Sequence, residues 1–115
     1  MVLPRKVYAI QHNVTKKIYV GSSRNVDGRY KAHINALRRG DHPVEDMQSD
    51  FDKYGEDYSL YILDEIKGFT DRSKERKWMT ELKTYQRDKG YNYKDPSFQN
   101  VTTTVPYKNG IPKPL

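Results

Sequence analysis

The sequence of 115 residues contains no cysteine, and no apolar run in it approaches the length of a membrane-spanning helix. The absence of cysteine excludes disulfide bonds, zinc–thiolate sites and thiol nucleophiles. The N-terminus has no signal-peptide pattern, so we expect a protein without a membrane part, located in the cytoplasm. The sequence also lacks a glycine-rich phosphate loop, a nucleophile elbow and a carboxylate cluster of the two-metal kind.

Positive charge and tyrosine are abundant. Lysine and arginine number 21 against 15 acidic residues, which gives a formal net charge of +6. A basic single domain is typical of nucleic-acid-binding proteins, although a basic surface can also serve solubility alone. The ten tyrosines suit half-buried strands, and their hydroxyl groups could also contact a phosphate backbone.

Hydrophobic spacing, turn residues and helix caps predict six secondary-structure elements. The first two are strands over 6–12 and 16–22, on either side of the turn Asn13-Val14-Thr15. A helix from Ser22, Ser23 or Asn25 to Gly40 follows, and then a helix from Pro43 to Gly55. The last two are a strand over 58–66 and a helix from Thr70 or Asp71 to near Gly90. The order β-β-α-α-β-α predicts the α+β class, with a three-stranded antiparallel sheet and flanking helices. We predict a domain over 1–97 and a flexible tail or linker over 98–115, where prolines interrupt a stretch without periodicity.

Glu75 lies on the apolar stripe of the last predicted helix, three and four residues before Trp78 and Met79. A carboxylate on a buried stripe is unfavourable unless it has a partner. One explanation for a glutamate at this position is that the Glu75 carboxylate has a functional role. The alternative is a glutamate at the edge of the stripe that pairs with Lys74 or Arg72.

Two further pairs of side chains are placed together by the predicted elements. Arg29 and His33 are four residues apart and share a helix face, where they could form a solvated edge or, for His33, a core histidine. Tyr8 and Tyr19 lie on the two arms of the hairpin and can reach the same face of the sheet, where they could also be ordinary half-buried sheet residues. Asn92 follows the last predicted helix and has the character of a turn residue.

Taken together, these residues resemble the motifs of the GIY-YIG nuclease family. The first motif corresponds to Lys6-Val7-Tyr8, and the second to Tyr19-Val20-Gly21; they are followed by "RYKAH" (29–33), by Glu75 in "ERKW", and by Asn92 in "GYN". The segment over 40–66 looks like the stretch that follows in phage-type homing endonucleases, and the resemblance covers about residues 6 to 95. The family usually has glycine where this chain has Lys6, a position of backbone rather than chemical importance.

The resemblance implies a metal-dependent endonuclease that hydrolyses a DNA phosphodiester with water, without a covalent intermediate. Tyr8 would be the base and Tyr19 would orient the water. His33 would hold the tyrosines and relay the proton, while Arg29 would neutralise charge on the phosphate. Glu75 would be the single protein ligand of Mg²⁺ or Mn²⁺. Positive charge from Arg29, His33 and the metal would favour the Tyr8 phenolate.

The remaining expectations concern support and partners. Gly21 would let the backbone approach the site, Asn92 would brace it, and His42 would be a weaker phosphate contact. Candidates for contacts with the DNA backbone are Lys17, Arg24, Lys31, Arg38 and Arg39. We expect a monomer in a bacterial or phage-infected cell, with DNA as partner and a separate DNA-recognition domain outside this chain. The alternatives are a non-catalytic basic DNA-binding module, a structural or partner-binding domain, and a GIY-YIG restriction or repair nuclease.

Overall fold

The computed structural model describes residues 4–66 and 73–93. Its elements are β1 (Arg5–His12), β2 (Ile18–Ser23), α1 (Val26–Arg39), α2 (Glu45–Tyr54), β3 (Tyr58–Ile66) and α3 (Ser73–Leu82). This order confirms the predicted α+β fold. The expected caps of the last helix, Thr70 and Asp71, and the tail over 98–115 lie outside the described residues. No described helix has the length and apolar character needed to span a membrane.

The sheet has the order β2-β1-β3, and both pairings are antiparallel. β1 is the central strand and is buried on both faces, which explains its nearly continuous run of buried residues. Alternation along the strands divides the core into two halves. On one face Tyr8 and Ile10 pack with α1 and α2, and on the other Val7 and Ala9 pack with α3.

α1 begins and ends at the residues expected from the sequence. The Asn25 side chain accepts a hydrogen bond from the backbone N–H of Gly28, and Gly40 closes the helix in the left-handed conformation with φ 81°. The apolar side chains Val26, Ile34 and Leu37 anchor α1 over the sheet. The residues between them along the helix are thereby fixed above the strands.

α3 ends at Leu82, and the predicted end near Gly90 is wrong. Lys83 adopts a left-handed conformation with φ 57°. Its N–H donates to the carbonyl of Thr80, and the N–H of Thr84 donates to that of Met79. This is the hydrogen-bond pattern of a Schellman motif, here built on lysine rather than on glycine, which explains why the sequence did not reveal it.

The segment after α3 returns to the free edge of β2. Gly90 forms a parallel bridge with Ile18, and the N–H of Tyr91 donates to the Ile18 carbonyl. A Cβ atom on Gly90 would lie 2.2 Å from Thr84 Cα, so only glycine fits where the segment passes the end of α3. This close passage brings Asn92 to β2.

Candidate active site

Tyr8 and Tyr19 lie on the same face of the sheet, with ring centroids 6.3 Å apart. The register places Tyr8 opposite Gly21 and Ile10 opposite Tyr19, so the two tyrosines are diagonal neighbours. A Cβ atom on Gly21 would lie 2.6 Å from Tyr8 Oη and 2.8 Å from Tyr8 Cζ. Gly21 therefore makes room for the Tyr8 side chain, a more specific reason for glycine than the general backbone approach we expected.

His33 reaches down from α1 onto this tyrosine pair. Its Nε2 lies 3.0 Å from Tyr8 Oη, a hydrogen bond between residues 25 positions apart. The His33 and Tyr19 ring centroids are 5.0 Å apart. Of the interpretations left open by the sequence, a solvated edge does not describe His33, because its ring is held within the tyrosine cluster.

His42 stands behind His33 and is only 6% exposed. Its Nε2 lies 2.8 Å from His33 Nδ1, and its Nδ1 accepts a hydrogen bond of 3.0 Å from the backbone N–H of Val44. The two imidazoles stack at 5.1 Å. Because both ring nitrogens are engaged inside the protein, the geometry favours a supporting role for His42 over contact with a phosphate.

The electrostatics of the cluster depend mainly on burial. Burial raises the pKa of Tyr8 above its ordinary value, Tyr19 and Glu75 raise it further, and Arg29 opposes them. Burial, followed by His42 and Arg29, lowers the pKa of His33 to about 4. His33 is therefore neutral at pH 7, and the expectation that it contributes positive charge to Tyr8 is wrong.

Arg29 supplies positive charge close to the cluster. It lies one helical turn before His33 on α1, and its side chain is exposed to solvent. Its charge lowers the pKa of Tyr8 against the effect of burial. An exposed guanidinium beside a buried phenol is accessible to a phosphate and close enough to act on the tyrosine.

Glu75 lies on the sheet face covered by α3 and is 8% exposed. Ser22, the neighbour of Gly21 on β2, donates a hydrogen bond of 3.1 Å from its hydroxyl to Glu75 Oε2. Lys74, one of the partners considered from the sequence, instead pairs with Asp64 at 3.3 Å, and Arg72 lies outside the described residues. Sequence analysis missed Ser22, because nothing in the local pattern links residues 53 positions apart.

Glu75 is nevertheless electrostatically connected to the tyrosine side of the sheet, since its charge raises the pKa of Tyr8. Within residues 4–66 and 73–93, no three His, Cys, Asp or Glu side chains come together as a ready-made metal site. A metal ion bound here would therefore rely on few protein ligands. Mg²⁺ commonly keeps several water molecules and needs only one or two carboxylates, so a single buried glutamate fits this ion.

Asn92 braces the edge strand β2. Its Oδ1 accepts a hydrogen bond of 2.8 Å from the N–H of Val20, and its Nδ2 donates one of 3.1 Å to the Val20 carbonyl. The side-chain amide thus pairs with β2 as a neighbouring strand would. This contact holds the backbone directly next to Tyr19 and Gly21.

The candidate contacts for the DNA backbone differ in their surroundings. Arg38 pairs with Glu56, and Arg39 pairs with Asp41 at 3.3 Å; both pairs are exposed. The other candidates are exposed or half-buried: Lys17, Arg24 and Lys31. Arg24 also lines a cleft of about 360 Å³ together with Lys6, Asn25, Val26 and Ile62, the last of which pairs with Tyr8 across the sheet. Lys6 adds positive charge to this cleft, which the acidic Asp27 also lines.

Comparison with known proteins shows which family the chain matches. Residues 5–92 match the model of the GIY-YIG catalytic domain. Intron-associated endonuclease 1 of Enterobacteria phage T4 is 34% identical over 109 residues, which cover 93% of this chain and 44% of that protein. The chain thus spans less than half the length of this relative.

Two solved structures of the catalytic domain of the intron (homing) endonuclease I-TevI are also similar, each at 30% identity. A mutant form superimposes with a TM-score of 0.71 over 79% of this chain and 94% of that chain. The other has a TM-score of 0.68 over 76% and 95% of the two chains. The chain therefore belongs to the GIY-YIG family, and residues 5–92 form its catalytic domain.

Proposed function

We propose that this domain hydrolyses DNA phosphodiester bonds with a water molecule activated by Tyr8, assisted by Mg²⁺ or Mn²⁺. The observation that supports this most is the contact of 3.0 Å between the buried Tyr8 Oη and Nε2 of the half-buried His33, in a cluster that Arg29 borders. A buried phenol whose oxygen is held by a histidine and acted on by an exposed cation is suited to proton transfer at a phosphate.

Tyr8 must lose its own proton before it can act as a base, and in the free domain that loss is unfavourable. Burial holds its pKa high, so the free domain contains the neutral phenol at pH 7. A phenolate formed there, after the phenol proton has passed to solvent, is correspondingly a strong base that can take a proton from the attacking water. Arg29 favours that phenolate electrostatically, and it would also neutralise charge that develops on the phosphate. Tyr19, whose ring lies close to both Gly21 and His33, would orient the water.

Glu75 would hold the metal ion, with water and phosphate oxygens completing its shell. The hydroxyl of Ser22 donates to one carboxylate oxygen and restricts the orientation of the group. The bound ion would supply positive charge that stabilises the leaving oxygen. Mn²⁺ prefers the same oxygen ligands and is expected to substitute for Mg²⁺.

The proposed substrate is DNA held mainly through its phosphates. Lys17, Arg24 and Lys31 would contact the backbone, with Lys6 adding charge in the cleft beside Arg24. Because the chain covers 44% of its phage relative, we propose that a separate DNA-recognition domain supplies the target site. The catalytic domain itself would act as a monomer in a bacterial or phage-infected cell.

The test is incubation of the domain, at excess over supercoiled plasmid, with Mg²⁺ and in parallel with EDTA. We expect nicked or linear product with Mg²⁺ and none with EDTA. Binding that decreases with salt but no cleavage would refute the enzyme and favour a DNA-binding module. If the domain neither binds nor cleaves DNA, the result would favour a structural domain.

A matched pair of variants identifies the base. Tyr8→Phe removes the hydroxyl that contacts His33, whereas Tyr61→Phe removes a buried hydroxyl that donates to Gln11 on the other half of the core. Each is expected to reduce stability by about 0.5–1.5 kcal/mol. Single-turnover cleavage should decrease roughly 10²–10⁴-fold for Tyr8→Phe alone. Equal rates for the two variants would show that Tyr8 is a structural residue.

A further inference from the structure

A continuous hydrogen-bonded chain runs from the backbone of α2 to the proposed base. The N–H of Val44, at the start of α2, lies 3.0 Å from His42 Nδ1. His42 Nε2 lies 2.8 Å from His33 Nδ1, and His33 Nε2 lies 3.0 Å from Tyr8 Oη. One end of this chain is a backbone N–H group, which can donate but never accept.

The fixed donor determines the tautomer of His42. Because Val44 N–H donates to it, His42 Nδ1 must carry a lone pair rather than a proton. Burial lowers the pKa of His42, so its imidazole is neutral at pH 7 and holds one proton. That proton must therefore be on Nε2, the nitrogen that faces His33.

The same argument applies to the next imidazole. His42 Nε2–H donates to His33 Nδ1, so Nδ1 of the neutral His33 carries the lone pair and its proton is on Nε2. The opposite tautomer of His33 would set two N–H groups against each other at 2.8 Å. His33 Nε2–H therefore points at Tyr8, and Tyr8 Oη is the acceptor.

We propose that the backbone N–H of Val44, acting through His42, fixes His33 as a hydrogen-bond donor to Tyr8. His42 and Val44 are then positioning residues for the base. In this arrangement His33 cannot take the Tyr8 proton, in contrast to the relay expected from the family resemblance. Instead, it stabilises negative charge on the Tyr8 oxygen, and the Tyr8 hydroxyl is left to donate its own proton to a group other than His33. The effect of His33 on Tyr8 as a base rests on the proposed function, whereas the tautomer assignments of His33 and His42 do not.

The direct test is ¹⁵N NMR of the histidine side chains in the intact domain at pH 7. Ring correlations distinguish protonated from unprotonated nitrogen, and we expect both His33 and His42 to carry their proton on Nε2. A proton on Nδ1 of His33 would overturn the proposal. This readout requires no DNA, so a domain that shows these tautomers but does not cleave would contradict the proposed function alone.

A second test uses two substitutions at the donor. Val44→Pro removes the N–H at a backbone φ of −88°, close to the range that proline adopts. Val44→Ala shortens the same side chain but retains the N–H. We expect Val44→Ala to keep the Nε2–H tautomer of His33 and Val44→Pro to give a mixture, with cleavage about tenfold slower in Val44→Pro than in Val44→Ala. Identical tautomer populations in the two variants would overturn the role of Val44.

A third variant covers the case in which Val44→Pro does not fold. His42→Glu places an acceptor opposite His33 Nδ1, so the His33 proton should move to Nδ1 and its Nε2 should become an acceptor for the Tyr8 hydroxyl. His42→Gln retains one acceptor and one donor and should keep His33 protonated on Nε2. If His33 has the same tautomer in both variants, the chain does not set the direction and the proposal fails.

Discussion

Gly21→Ala should disable the domain although it removes none of the groups that take part in the proposed chemistry. The new Cβ would lie 2.6 Å from Tyr8 Oη, 2.8 Å from Tyr8 Cζ and 3.1 Å from Tyr19 Cε2. To reach an ordinary contact of roughly 3.5 Å, the Tyr8 oxygen must move by about 0.9 Å. That displacement disrupts the 3.0 Å contact with His33.

Two effects of this substitution on stability oppose each other. Crowding a packed site reduces stability by about 1–3 kcal/mol. Replacing glycine restricts the unfolded chain, which restores about 0.4–1 kcal/mol. We therefore expect a net loss of about 1–2 kcal/mol, together with a roughly 10²-fold slower single-turnover cleavage because a reacting group is displaced by nearly 1 Å.

Gly55→Ala is the matched control for this prediction. Gly55 has φ 89°, which strains any other residue, yet a Cβ there would meet no atom within 4 Å. We expect a loss of about 1–3 kcal/mol from backbone strain, with cleavage unaffected at a temperature where both variants are folded. Thermal unfolding followed by circular dichroism gives the stability. If Gly21→Ala cleaves as fast as Gly55→Ala, the position of Tyr8 is irrelevant and the mechanism is refuted.

Three further predictions concern the metal, pH and the tail. Glu75→Gln keeps the shape of the side chain but removes its charge, so Mg²⁺-dependent cleavage should be lost while circular dichroism is unchanged; full activity would contradict the metal role. The pKa of His33 is about 4 when folded against 6.5 for the ordinary side chain, so the unfolded chain binds a proton first and stability should decrease by at most about 3 kcal/mol as pH falls from 6.5 to 4. His33→Gln should flatten that part of the profile, and an unchanged slope would show that other groups cause it. Truncation after Asn100 should leave the melting temperature nearly unchanged, because residues 101–115 lack the composition of a core; a large decrease would mean that the tail is docked on the domain.

Much of the fold could be predicted from local residue patterns, because the same patterns cause the helices and strands to form. Helical spacing and the caps at Asn25 and Gly40 identified α1, and β-branched residues identified β3. The end of α3 was predicted wrongly because its stop signal is Lys83 in a conformation for which glycine is the usual marker. A lysine at position 83 does not by itself indicate that the helix ends there.

The candidate site was accessible only in part. The resemblance to the GIY-YIG motifs indicated Tyr8, Tyr19, His33 and Glu75 as members of one set. One partner of Glu75 is Ser22, a residue without a distinctive local pattern. Similarly, the positive charge expected on His33 is absent at pH 7, because burial, with the neighbouring His42 and Arg29, lowers its pKa to about 4.

The sequence by itself determined which side chains share a face. Strand alternation with a period of two places Tyr8 and Tyr19 on one side of the sheet, and a spacing of four aligns Arg29 with His33 on a helix. These relations depend on backbone geometry within single elements, or across one hairpin, and hold wherever those elements form.

Tertiary structure decided what those side chains can do. The contact between His33 and Tyr8 joins positions 25 residues apart, and the proton direction along the chain of imidazoles depends on a backbone N–H that every residue except proline possesses. The pKa of each group depends on how much water the packed helices exclude. Such properties arise from distances between separate elements, which no local pattern of residues encodes.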